Sequence, residues 1–183
     1  MPKSRKIGRV RDKWKLKSWV VVEAPTSFGK TSIAYLPITD TETLVGQVVE
    51  TTLYELVKQD IQDQTKKLFF EIDSINDEKA SSTLKGFEYS REYLRSLVRR
   101  GSSMISLVED YITKDKVKVR VYSIALAHRR MNTSRKHAIR SIMSNIVTEK
   151  TNSISYDQFT QEAVLGKIAS DIYNQAKNIT HLR

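Results

Sequence analysis

The stretch 87–103, FEYSREYLRSLVRRGSS, joins a helix start, a helix stop and four arginines, and it leaves the backbone little choice. Ser90 suits an N-cap, because its hydroxyl can accept from the free N–H groups of a first turn, and Glu92 complements the positive end of the dipole. Gly101 can take the left-handed conformation that stops a helix. At about 100° per residue, Tyr93, Leu94, Leu97 and Val98 fall on one face, while Arg91, Arg95 and Arg99 line up at i, i+4 and i+8 on another. Like charges at that spacing repel by about 0.2–0.5 kcal/mol per pair unless an anion sits between them, and no acidic residue occupies the row. Followed by Arg100, Ser102 and Ser103, the row matches phosphate, because guanidinium forks fit its oxygens and hydroxyls add contacts. The plain alternative is a solvated helix face.

Charge along the rest of the chain is just as uneven. The 183 residues carry a formal net charge of +10. Residues 1–17 hold eight cations against one acid, residues 87–148 hold thirteen against five, and residues 18–86 hold six against eleven. Two basic zones around a mildly acidic one suit a polyanion that runs over the surface better than a small acidic molecule. There is no cysteine, so neither a disulfide framework nor a thiolate metal site is available, and the three histidines lack ligand spacing. An intracellular setting is expected. Apolar runs such as Trp19–Val22 stop far short of a signal or membrane segment.

Residues 1–17, MPKSRKIGRVRDKWKLK, are expected to be an extended basic arm without a fold of its own, ordered by a partner. Trp14 and Trp19 beside Lys13, Lys15 and Lys17 offer stacking and cation–π surface. Residues 18–183 are long enough for a single domain with a real core. Residues 18–23 and 31–36 read as two strands around a loop. That loop, Ala24-Pro-Thr-Ser-Phe-Gly29-Lys30-Thr31, nearly matches the phosphate-binding pattern of nucleotide hydrolases. Yet Ala24 replaces the first glycine, and the segment after Thr31 is β-branched or aromatic where a helix must start.

Further along, 45–57 has mixed periodicity that favours a strand. Residues 67–75 and 82–87 read as strands separated by polar turn residues Asn76, Asp77 and Ser81. Residues 104–113 and 116–127 form the clearest hairpin pattern; Val117, Val119 and Val121 point one way while Lys116, Lys118, Arg120 and Tyr122 point the other. A basic connection with Arg129 and Arg130 leads to a helix capped by Ser134, with Ala138, Ile139, Ile142, Met143, Ile146 and Val147 on one stripe. Arg135, Lys136 and Arg140 in its first turns oppose the dipole, a placement that suits a bound phosphate. Ser155 with Gln158 suggests a capping box for one last helix, whose stripe is Phe159, Ala163, Ile168, Ala169, Ile172, Tyr173 and Ala176.

The expected fold class is therefore α+β: a twisted, largely antiparallel sheet or partly closed barrel of six to seven strands, with three main helices and the basic arm. No catalysis and no cofactor are expected. Glu109 with Asp110, and Asp77 with Glu78, have no evident fixed partner and read as solvated. Two rivals stand beside an RNA-binding scaffold: a free-standing RNA or DNA regulator, and a P-loop-like hydrolase using Lys30 and Thr31.

Several of these stretches together resemble one family. DKWKLKSW (12–19) followed by Ala24-Pro25 and Phe28-Gly29, VETTLYEL (49–56), SREYLRSLVRR (90–100), RKHAIRSIM (135–143) and FTQEAVLGKIA (159–169) are similar, in this order, to the archaeal and eukaryotic small-subunit ribosomal protein family called three-A-e. The length is like that of its archaeal members. The resemblance implies a structural constituent of the small ribosomal subunit, cytoplasmic with the ribosome. It also implies binding to rRNA on the platform near the mRNA exit and the rRNA 3′ end, beside other platform proteins and close to mRNA.

Overall fold

The computed structural model describes residues 13–39, 43–58, 60–76 and 78–183. Its elements in chain order are β1 (Ser18–Glu23), β2 (Ser32–Ile38), β3 (Val48–Thr52), α1 (Leu53–Val57), β4 (Lys66–Asn76), β5 (Lys79–Tyr89), α2 (Arg91–Leu97), β6 (Ser103–Ile112), β7 (Lys118–Ala127), α3 (Thr133–Ser153), α4 (Tyr156–Val164) and α5 (Lys167–Ala176). Seven strands and these helices make an α+β protein. The strands form two open sheets rather than a barrel, one of order β2-β1-β5-β4-β3 and one of β6-β7. The chain divides into two compact units, one from the described residues up to Thr51 with Phe69–Lys85, the other from Thr52–Leu68 with Gly86–Arg183.

In the first unit, β1 pairs antiparallel with β2 from Ser18↔Ile38 to Glu23↔Ser32. On its other side β1 runs parallel to β5, Val22 opposite Ala80, an exception to the expected antiparallel pattern. β4 and β5 are an antiparallel hairpin, since cross-strand partners Glu71–Lys85 and Asp73–Thr83 advance in opposite senses. Alternation sorts the faces: Leu68, Phe70 and Ile72 are buried, while Phe69 and Glu71 between them are half-buried and Asp73 is exposed. Val20, Val22, Ile38, Leu44, Ile72 and Ala80 form the core. Each such side chain contributes about 1.5–3 kcal/mol of burial if large. Phe28 adds an edge-on contact to the fully buried Phe70, ring centroids 5.9 Å apart.

The loop that imitates a nucleotide site is a turn between two strands. Thr26–Phe28 is a single 3-10 turn, Gly29 and Lys30 both have positive φ (82° and 50°), and Ala24 N–H donates to the Thr31 carbonyl at 2.8 Å. β2 follows at Ser32, so no helix N-terminus faces the loop, and phosphate cradling of that kind has no donor array there.

Three sequence expectations are corrected. The strand expected over 45–57 is only Val48–Thr52; the chain then turns into α1, which buries Leu53 and Leu56. The single last helix breaks at Gly166, whose φ of 81° no helical residue adopts, giving α4 and α5. The arginine helix stops at Leu97 rather than at Gly101, because Val98 is already extended (φ −78°, ψ 121°).

In the second unit, β6 and β7 pair antiparallel in unbroken register from Ser103↔Ala127 to Ile112↔Lys118. One core, Ile105, Ala125, Ala127, Met131, Ile139, Met143, Ala176 and Leu182, ties this hairpin to α3, α5 and the segment after α5. A second, Val147, Phe159 and Ile168, packs with Tyr111, Val119 and Val121. On α3 the buried residues Ile139, Met143, Ile146 and Val147 follow i, i+4, i+7, i+8, which is the apolar stripe read from the sequence.

Candidate nucleic-acid interface

On α2 the expected cap exists: Ser90 Oγ accepts from the Tyr93 N–H at 3.3 Å. Arg91 and Arg95 are exposed, one turn apart. Arg99 and Arg100 are exposed too, but they lie in the turn beyond the helix, so the row is two helical arginines followed by two on a turn. Ser102 is committed locally. Its hydroxyl donates to the Arg99 carbonyl at 2.5 Å and accepts from the Arg99 N–H at 3.3 Å, which shapes the turn that displays both arginines. The opposite face of α2 buries nothing completely: Leu94 and Leu97 are half-buried, and Val98 is exposed. Tyr93 instead stacks on Tyr89, centroids 5.9 Å apart. Among the described residues, none of the ion pairs involves Arg91, Arg95, Arg99 or Arg100.

The cationic face expected on β7 is partly neutralised. Arg120 and Asp110 are register partners, and the guanidinium meets the carboxylate through two bonds of 2.6 and 2.9 Å. The pair holds the Asp110 carboxyl below its usual range and raises the guanidinium. Lys118 remains exposed beside it. Glu109 also has fixed partners, accepting from the Tyr111 hydroxyl at 2.5 Å and the Ser144 hydroxyl at 2.7 Å. The expectation that both carboxylates are merely solvated is thus corrected. Register and the packing of α3 on β6, which no local pattern encodes, supply the partners.

At the start of α3, Asn132 rather than Ser134 is the N-cap, and its side chain makes no capping bond. Arg129, Arg130 and Arg135 are exposed and Lys136 is half-buried. Arg140 is anchored, its Nε donating to the Ser106 carbonyl of β6 at 3.0 Å. Of the expected arm, residues 1–12 lie outside the described residues, and Lys13–Leu16 is one 3-10 turn. Lys17 Nζ sits 4.0 Å from the Trp14 ring centroid, a cation–π contact, and Lys15 is exposed. Sequence reasoning passed over Tyr35, which is exposed on β2 opposite Val21 and so shares the outer face of the sheet with the exposed Trp19. Alternation within 32–38 was the available signal.

The described residues contain no group of acids and histidines able to hold a metal, and no helix is long and apolar enough to cross a membrane. What the geometry defines first is a class: a basic α+β protein that, among the described residues, displays most of its cations outside ion pairs. Comparison narrows the class, because residues 5–183 match the model of the Ribosomal S3Ae family and the chain belongs to that family. It is 43% identical over 184 residues to a protein of Archaeoglobus fulgidus named "Small ribosomal subunit protein eS1", across 100% of this chain and 87% of that one. The protein of the same name from Desulfurococcus amylolyticus is 44% identical over 174 residues, covering 95% of this chain and 81% of its own. That from Saccharolobus solfataricus is 41% identical over 180 residues, covering 98% and 86%.

Proposed function

We propose that this protein is a structural constituent of the small ribosomal subunit that binds its rRNA and catalyses nothing. The observation that carries the reading is the set of exposed arginines around α2, Arg91, Arg95, Arg99 and Arg100, none of which has an ion-pair partner among the described residues. Unpaired guanidinium groups one turn apart are unfavourable until an anion lies across them, and a phosphodiester backbone supplies anions at a comparable repeat. Lys118, Arg129, Arg130, Arg135 and Lys136 are further cations of the same unit outside α2, exposed except for the half-buried Lys136, while Trp14, Lys13, Lys15 and Lys17 add a second contact from the arm. Arg120, Arg140 and Ser102 contribute less, since each already serves a partner within the protein. Family membership supports placing the chain on the platform, near the mRNA exit and the rRNA 3′ end, with platform proteins and mRNA as neighbours in the cytoplasm.

The test is fractionation of a lysate on a sucrose gradient after a high-salt wash. Co-sedimentation with the small subunit is expected. Release into the ribosome-free fractions, with retained RNA or DNA binding, would favour the free-standing regulator instead.

A further inference from the structure

Apart from α2, the second unit contains a cleft of about 1040 Å³ lined by His128, Arg129, Arg135, Tyr173, Lys177 and His181, with the segment after α5 along it. Its walls come from the end of β7, the first turn of α3, the end of α5 and that last segment. The last segment is held in place: His128 N–H donates to the His181 carbonyl at 3.3 Å, Arg183 N–H donates to the Leu126 carbonyl at 2.8 Å, and Leu182 is buried beside Ala127.

The lining carries two guanidiniums, an ammonium, two imidazoles and a phenol, and no carboxylate. None of these cations joins an ion pair among the described residues. Among the described residues Lys177 has a neutral partner, the Asn174 amide oxygen at 3.3 Å, and the acid earlier on α5, Asp171, is turned to Lys150 at 3.4 Å. Arg135 sits in a first helical turn with no acid and no side-chain cap, where the dipole opposes it. Convergent cations without a counter-charge are unfavourable, and an anion in the cleft removes that cost. One wall differs in kind: Tyr173 is aromatic and leaves 47% of its surface exposed.

The geometry points to a site for one nucleotide of single-stranded RNA, its phosphate held by Arg129, Arg135 and Lys177 and its base laid on the Tyr173 ring. This rests on the RNA-binding reading above and adds to it a second, separate site. The cleft is of the size that takes a nucleotide, roughly 300–1,000 Å³ being usual for such ligands. A base can reach the ring only when splayed out of a stack, which a single strand allows and a regular duplex does not. An acidic peptide would satisfy the cations but leave the ring without a planar partner.

The experiment uses the full chain, a single-stranded RNA of roughly 12 nucleotides and a duplex of equal length, with affinity measured by fluorescence anisotropy at several salt concentrations. Three variants are compared: Arg129→Gln/Arg135→Gln/Lys177→Gln, Tyr173→Ala, and Arg91→Gln/Arg95→Gln/Arg99→Gln. All lie on exposed positions, and thermal melts confirm that they fold. For the cleft triple, the salt slope on single strands should become shallower by about 0.7 units, at roughly 0.7 per phosphate contact, since the three cations hold one phosphate. Tyr173→Ala should weaken single-strand binding about 5- to 150-fold with the slope unchanged, and Tyr173→Phe should restore it. If both cleft variants bind like the wild type while the α2 variant is impaired, the cleft site is overturned and the RNA-binding reading stands. A wild type that binds neither RNA overturns both. Displacement of the RNA by a glutamate-rich peptide of equal affinity would also overturn the site, in favour of a protein ligand.

Discussion

The carboxylate of Asp115, in the β6–β7 turn, accepts a hydrogen bond from the backbone N–H of Tyr156, the first residue of α4, at 2.7 Å. Ser155 occupies the N-cap position but gives no side-chain bond to the helix. The cap of α4 therefore comes from a residue 41 positions earlier, and it pins a hairpin turn to a helix start.

Asp115→Ala should cost about 0.5–2 kcal/mol of stability, as loss of a helix cap does, whereas Ser155→Ala should cost almost nothing. Urea denaturation of both variants checks the contrast. Equal losses would mean that the serine, not the aspartate, caps the helix in solution.

In the second unit α3, α4 and α5 meet at Glu162, whose carboxylate bonds Lys167 at 2.6 Å and Lys150 at 3.0 Å. These two ammonium groups hold its carboxyl below the usual range, Lys167 more than Lys150. Glu109 is lowered likewise, by the hydroxyls of Tyr111 and then Ser144. For a carboxyl depressed in the folded state, the stabilisation is full above the unfolded value and is lost as pH falls through the folded one. Stability should therefore decline as pH drops below about 4.5, and Glu162→Gln should flatten that decline. Thermal melts from pH 7 to pH 3 measure both.

Tyr111 titrates at the other end of the scale. Burial and then the neighbouring Glu109 carboxylate push its hydroxyl up to about 12. The folded protein keeps this proton when the unfolded chain has begun to lose it, so the stabilisation is present below pH 10 and is lost as pH rises towards 12. Ultraviolet titration of the native protein should show one phenolate forming last, and Tyr111→Phe should remove that step alone.

At the turn that imitates a nucleotide loop, Gly29 is at φ 82° with nothing within 4 Å of an added Cβ, so only backbone strain opposes a side chain. Gly29→Ala should cost about 1–2 kcal/mol. Lys30→Ala should leave subunit assembly nearly intact, because it removes at most one phosphate contact. Measurable ATP turnover by the purified protein, abolished in Lys30→Ala, would overturn the non-enzymatic reading.

Substitution of Arg91, Arg95 and Arg99 by Gln should leave stability unchanged or slightly raised while making the salt slope of rRNA binding shallower by about 2–3 units. Met143→Ala, in the core, should instead cost about 2–5 kcal/mol. Leu97→Ala should cost less than that, since Leu97 is only half-buried. An unaltered salt slope in the triple variant would leave the arginines as a solvated face.

What the sequence determined by itself was local and periodic. Ser90 caps α2, alternation sorts the faces of β4 and β7, i, i+3, i+4 spacing builds the buried stripe of α3, and strand propensity after Thr31 rules out a phosphate loop, because each depends on neighbours a few residues apart. The family was legible for a similar reason, in short stretches kept in order. Only the tertiary structure decided which charges stay free. Arg120 is taken by Asp110 through strand register, Arg140 by the Ser106 carbonyl, and Glu109 by Ser144 through packing of α3 on β6. It also gathered Arg129, Arg135, Tyr173 and Lys177 into one cleft. A hydrogen bond or a cleft depends on distances between segments remote in sequence, and those distances are fixed by core packing rather than by the propensities of the residues that meet there.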